Sequence, residues 1–261
     1  MLVDSHCHLD YMARDGDLDD VLARARNSGI ETLLKISTSL ETYPEVRDIA
    51  AADDRIFCTV GVHPHNAEKE PDVKAEQLIE LADANPDTVG IGECGLDYFY
   101  EHSPRDVQQA VFREHITAAR VTGLPLIVHT RDADQDTVDI LTDEMEKGAF
   151  TGLIHCFSSS DWLASRMLAQ GFYLSISGIV TFKTAEALRD TVSKTPLDRL
   201  LVETDAPYLA PIPKRGKRNE PAFTAFTAAK VAELKGVSDD EIASITTDNF
   251  FNLFKKARKA A

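Results

Sequence analysis

Short apolar runs rich in β-branched residues recur along the chain, and each is followed by a segment whose apolar positions repeat at helical spacing. The runs are MLVDSH at 1–6, TLLKIST at 32–38, IFCTVGV at 56–62, TVGIGE at 88–93, PLIVHT at 125–130, GLIHCF at 152–157, FYLSISG at 172–178 and RLLVETD at 199–205. Strands alternating with helices are the signature of a parallel sheet built from βα units. Eight units are the number that closes a (β/α)8 TIM barrel, so the expected fold class is α/β with eight parallel strands.

The intervening segments carry helix punctuation. In DLDDVLARARNSG, Asp17 is the expected N-cap, Leu18, Val21, Leu22 and Ala25 share one face, and Gly29 can end the helix in a left-handed conformation. In SPRDVQQAVFREHITAARVTG, Ser103 is the expected N-cap, Pro104 the first helical residue and Gly123 the terminator. SDDE at 238–241 forms a capping box ahead of Ile242 and Ile245. A proline-rich loop follows Asp205, and helical pattern fills the remainder. No linker or shift of composition divides the chain, so residues 1–261 are expected to form one domain.

Composition narrows the class. With 43% hydrophobic and 27% charged residues, the chain has the balance of a globular protein rather than a disordered or fibrous one. Its longest apolar runs fall far short of the roughly 18 residues that span a bilayer, and no basic segment followed by an apolar one opens it. A cytoplasmic protein without a membrane partner is expected. The four cysteines are scattered, which argues for reduced thiols rather than disulfides or a zinc knuckle. A net charge of −15, from 43 acidic and 28 basic residues, argues against a general DNA-coating protein. It leaves room for a nucleic-acid enzyme, because bound cations and a basic patch such as KRGKR at 214–218 reverse the sign locally.

Barrel enzymes place reacting groups at the C-terminal ends of their strands. Those positions hold His6 and His8, then His63, Glu93, His129, His155 and Asp205. His6 and His8, two apart on an extended segment, point to one face, with Cys7 on the other. Imidazole and carboxylate together suit zinc, manganese, iron or magnesium. Six ligands exceed one tetrahedral ion and fit two ions bridged by Glu93, with His6, His8 and Asp205 on one side and His129 and His155 on the other. Singly, each residue has a plainer explanation: a hydrogen-bonded histidine, a structural carboxylate, a helix cap. Their coincidence at one end of five strands favours a metal centre. Cys7, Cys94 and Cys156, beside three of these residues, are expected to pack as small apolar groups against the helix layer.

The chain resembles the TatD family of metal-dependent deoxyribonucleases, within the amidohydrolase-like barrels. The resemblance runs through DSHCHLD at 4, GVHPH at 61, GECGLDY at 92, Gln108 with Phe112, LPLIVHTRDA at 124, HCFS at 155, GFYLSISGIVTFK at 171, LLVETDAPYLAP at 200, RNEPA at 218 and NFFNLF at 249. It implies the same ligands as the strand ends: His6, His8, Glu93, His129, His155 and Asp205. It also implies divalent-metal phosphodiester hydrolysis, with 3′ to 5′ trimming of DNA. Two departures are visible: Ser159 stands where the family commonly has glycine, and Ser5 where threonine is frequent.

The expected chemistry follows. Two divalent cations (magnesium, manganese or zinc) would lower the pKa of a water that serves as nucleophile. Glu93 and Asp205 are the expected catalytic carboxylates, Asp205 also accepting the water's proton. His63 and Arg131 are candidate substrate contacts, donating to charge on the phosphoryl oxygens. The alternatives are a loop-packing role for His63 and an ion pair with Asp132 for Arg131. KRGKR is a phosphate-binding or merely solvated loop, and Asn219 and Glu220 could brace the metal shell from outside. The substrate would be DNA or oligonucleotide ends, with no obligate protein partner. A rival is a hydrolase of a small amide, ester or phosphotriester, or of an aminoacyl-tRNA ester, on the same barrel. The carboxylated lysine that marks much of that branch is absent, since Glu93 stands at the end of strand 4. A non-catalytic module is the second rival, and it would be expected to have lost a ligand.

Overall fold

The sheet contains eight parallel strands, each hydrogen-bonded to its neighbour in sequence: β1 (Leu2–Cys7), β2 (Ile30–Lys35), β3 (Ile56–Val60), β4 (Thr88–Asp97), β5 (Leu126–Arg131), β6 (Gly152–Ile154), β7 (Tyr173–Ile176) and β8 (Leu200–Val202). This computed structural model describes residues 1–257. Just past β8, Ala206 forms a parallel bridge with Cys7. There His8 N donates to Ala206 O at 2.8 Å and Asp205 N to His6 O at 2.9 Å. The first and last strands therefore meet, and the sheet is a nearly closed TIM barrel.

Alternation along the strands sorts the core into two layers. One cluster takes a residue from every strand: Val3, Leu34, Phe57, Val89, Ile127, Leu153, Tyr173 and Leu201. These are the inward positions of the N-terminal half of the barrel. Phe250 and Leu253 from the helix Asp239–Leu253, with Phe254 after it, join the same cluster and plug that end. Their neighbours along the strands, such as Leu33, Leu126 and Val128, face the other way and pack against helical residues such as Val21, Val111 and Phe112. With one mouth filled by aromatic rings, the polar groups gather at the opposite rim.

The strand limits differ from the sequence expectation at that rim. β4 runs on to Asp97, four residues beyond Glu93. β6 and β8 stop at Ile154 and Val202, so His155 and Asp205 lie just past the paired segments. Cys156 and Asp205 have φ of +45° and +57°, a left-handed conformation unusual for residues with side chains, so the chain turns out of the sheet where these groups sit.

Helix punctuation is largely as expected. Gly123 ends the helix Arg105–Thr122 at φ +70°, and Ser238 with Glu241 closes a full capping box. Two caps differ. Pro104 occupies the N-cap of Arg105–Thr122, while the Ser103 hydroxyl accepts from Glu68 N at 3.0 Å and ties two rim loops together. Asp17 sits at the N-cap of Leu18–Asn27 but turns its carboxylate to Arg218 instead of the helix. Cys7 and Cys94 are buried against the helix layer as expected, whereas Cys156 is only partly buried, its Sγ 3.2 Å from Ser177 Oγ. Among the described residues no helix is long and apolar enough to cross a membrane.

Candidate metal centre

Glu93 is the hub of the rim. A bulge in the β4–β5 ladder between Ile91 and Cys94 falls on it, and its backbone N–H donates to Ser37 O at 3.0 Å. The two carboxylate oxygens face different partners. Oε2 lies 3.4 Å from His6 Nε2. Oε1 lies 2.8 Å from His155 Nε2, 3.2 Å from His129 Nδ1 and 3.3 Å from His63 Nε2. Asp205 Oδ1 stands on the Oε2 side, 3.3 Å from His8 Nε2 and 3.7 Å from His6 Nε2.

The six expected ligands are therefore brought together from five strands and the turns that follow them. Three sets of donor atoms lie within 4.8 Å of one another: His6, His8 and Glu93; His6, His155 and Glu203; and His63, Glu93 and His129. Asp205 lies outside these sets, against His8. Arg131 does not join these groups: it is exposed at the end of β5, two residues past His129, and its guanidinium lies over Phe99 at 4.0 Å rather than pairing with Asp132. The basic loop at 214–218 is also remote in its contacts, with Arg218 paired to Asp15 and Asp17. Asn219 braces the chain around Asp205 through Thr204 O at 2.9 Å and Tyr208 O at 2.6 Å, whereas Glu220 pairs with Arg24 at 2.7 Å.

Two carboxylates at the site were not among the sequence candidates. Asp97 Oδ2 lies 3.0 Å from His129 Nε2 and 2.9 Å from His65 Nε2. Glu203 Oε1 lies 3.3 Å from His155 Nδ1 and accepts from Cys156 N at 2.8 Å. Both lie close in sequence to a candidate, Asp97 four residues past Glu93 and Glu203 two before Asp205. Below His6, Asp4 is fully buried and links β1 to the segment after β8, accepting from Thr204 N at 2.9 Å and Thr204 Oγ1 at 2.6 Å. Burial pushes its carboxyl up to about 7 against those hydrogen bonds.

The electrostatics favour a cation. Burial alone would raise the Glu93 carboxyl, but the facing imidazoles of His155, His63 and His6 outweigh it and hold it well below the carboxylate range. Burial likewise opposes protonation of His155, yet Glu93 and Glu203 draw it well above the imidazole value. His63 goes the other way: burial dominates and brings it down to about 4.

Hydrogen-bond roles sort the histidines. His129 and His155 each turn one ring nitrogen to a second carboxylate, which fixes a proton there and leaves Nδ1 of His129 and Nε2 of His155, which face Glu93 Oε1, as the nitrogens that would offer lone pairs to a cation. Both nitrogens of His6 are buried without a hydrogen-bond partner, which is costly for a polar group unless a ligand completes it. His63 Nδ1 accepts from His65 N at 3.1 Å, so the proton of its neutral ring sits on Nε2. That makes His63 a donor toward the site rather than a lone-pair ligand. The unpartnered His6, the ionised buried Glu93 and the oriented pair His129 and His155 together fit divalent cations.

The TatD related DNase family model matches residues 3–255. The chain is 47% identical over 256 residues to an uncharacterized metal-dependent hydrolase YcfH of Escherichia coli, covering 97% of this chain and 95% of that protein. It is 36% identical over 245 residues to a 3′-5′ ssDNA/RNA exonuclease TatD of Enterobacter lignolyticus, covering 91% of this chain and 93% of that one. Among solved structures, YJJV, a TatD homologue from Escherichia coli, superposes with a TM-score of 0.90 at 31% identity, over 97% of this chain and 98% of that one.

Proposed function

We propose, on the premise that this chain belongs to the TatD-related DNase family of metal-dependent hydrolases, that it cleaves phosphodiester bonds at the 3′ ends of DNA. The observation that carries the reading is the division of Glu93, with Oε2 toward His6 and Oε1 toward His155 and His129. Such a carboxylate can be shared between two cations, the arrangement suited to an in-line displacement at phosphorus. The exonuclease relative from Enterobacter lignolyticus supports the substrate class.

His6, His8, Glu93 and Asp205 would hold one divalent cation, and His129, His155 and Glu93 the other. Bound there, magnesium, manganese or zinc supplies Lewis acidity that lowers the pKa of water and neutralises charge on a phosphoryl oxygen. The chain's own residues do the rest. Asp205 is kept ionised, because His8, His6 and His155 outweigh the burial that would raise its carboxyl. It is the group placed to accept the proton of the attacking water. His63, neutral and protonated on Nε2, donates toward charge that develops on the phosphoryl group. Asp97 and Glu203 hold the His129 and His155 rings in their working tautomers.

The reading takes residues 1–261 as one cytoplasmic domain that acts without an obligate protein partner. Side-by-side turnover of a 3′-labelled single-stranded oligonucleotide, a dihydropyrimidine and an aminoacyl ester tests it. Release of labelled 3′ nucleotides is expected; hydrolysis of either small substrate with none of the oligonucleotide would move the enzyme to the rival branch.

A further inference from the structure

Two adjacent aromatic side chains stand open to solvent beside the metal centre. Phe99 is 54% exposed and Tyr100 50%, both on the turn that leaves β4. The turn is not loose: Asp97 Oδ1 accepts from Phe99 N at 3.1 Å and Tyr100 N at 2.9 Å. The other oxygen of the same carboxylate faces His129 and His65. One buried side chain therefore fixes both a candidate metal ligand and the exposed rings.

The rings form an edge-to-face pair, centroids 4.8 Å apart and planes at 88°, and this pair is the platform. The Arg131 guanidinium lies over Phe99 at 4.0 Å and Tyr100 at 4.7 Å, and the Tyr100 ring runs parallel to that of His102 at 4°. His65 connects the platform to the centre, 5.4 Å from Tyr100 and 6.3 Å from His129 between ring centroids. Burying two large apolar faces would stabilise the fold, so their exposure on a tethered turn beside a catalytic rim is a cost that a ligand can recover.

Resting on the phosphodiesterase reading, we propose that Phe99, Tyr100 and Arg131 form a base-stacking subsite for an unpaired nucleobase of single-stranded nucleic acid. Aromatic faces with a neighbouring guanidinium receive any base by its π-face and the adjoining phosphate by charge, without sequence preference. A duplex end would have to unstack first, so the subsite selects single strands. It also explains how a chain of net charge −15 can hold a polyanion, because stacking supplies affinity that the overall charge withholds.

The test is equilibrium binding of a fluorescent single-stranded oligothymidylate to chelator-treated protein at low salt, read by anisotropy, so that it does not depend on cleavage. Phe99→Ala and Tyr100→Ala should each weaken binding roughly fivefold to a hundredfold. Phe99→Trp and Tyr100→Phe should retain it. An oligonucleotide made abasic at each position in turn should lose affinity with wild type at one position, and the alanine variants should not notice that change. Unchanged affinity in both alanine variants, equal weakening against every abasic substrate, or no oligonucleotide binding by wild type would overturn the subsite. If binding behaves as expected and no phosphodiester is cleaved with any divalent ion, the subsite stands and the nuclease reading fails.

Discussion

His129 Nε2 lies 3.0 Å from Asp97 Oδ2, and that single contact decides which nitrogen of His129 can serve the centre. With its proton held by the carboxylate, the ring presents Nδ1 toward Glu93. Asp97 can do this because His129 and His65 overcome the penalty of its burial and keep the carboxyl far below its ordinary range. Asp97→Asn should therefore weaken metal binding about tenfold to a hundredfold while leaving the thermal transition of the metal-free protein nearly unchanged. Titration calorimetry with manganese measures it, and an affinity equal to wild type would show that Asp97 only tethers the loop.

On the proposed reading Asp205 serves the reaction more than the fold. Its carboxylate touches His8, and its backbone is held independently through His6 O. Asp205→Asn preserves shape and removes the proton acceptor. Turnover should fall roughly a hundredfold to ten-thousandfold, with metal affinity changed much less. A near-normal rate with cations bound would transfer the general-base role to another group.

His115 offers a pH dependence outside the centre. It is buried, Nδ1 donates to Val111 O at 2.8 Å, and Nε2 accepts from Val62 N at 2.9 Å, an acceptance that only the neutral ring can make. Burial brings its pKa from 6.5 down to about 4. Between those values the unfolded chain binds a proton that the native state refuses, so stability rises with pH there. Above about 6.5 the contribution is complete, and it is lost as pH falls toward 4, up to about 3 kcal/mol in all. In denaturant unfolding at pH 7.5, 6, 5 and 4.5, wild type should lose more stability than His115→Gln. Parallel curves would refute the assignment.

How much of this was legible beforehand depended on what each residue reports. The strand count was readable because parallel strands bury both faces and show as apolar runs. The candidate site was readable because histidines are few, eight in the chain, and five of them fell at strand ends. Asp97 was missed because β4 reads as ending at Glu93: glycine and acid residues follow, and Gly95 suits a strand only because its φ of +129° brings the chain against His129. Glu203 was hidden in RLLVETD by the more prominent Asp205. Arg131 was singled out as a substrate contact, but its partners could not be read, since nothing in the sequence says that Phe99 and Tyr100 turn outward beneath it. The Ser103 cap failed because the helix starts one residue later than the pattern implied: Pro104 keeps an extended ψ of 142° and takes the N-cap, while the Ser103 hydroxyl accepts from Glu68 N.

The most direct test of the metal-centred account is a titration of chelator-stripped protein with manganese while following release of the 3′ nucleotide from a labelled single-stranded oligonucleotide. The account predicts no release from stripped protein, recovery that rises with occupancy and saturates near about two ions per chain, and loss of the second binding event in Glu93→Ala. Full release from stripped protein, or none with magnesium, manganese or zinc restored, would contradict it.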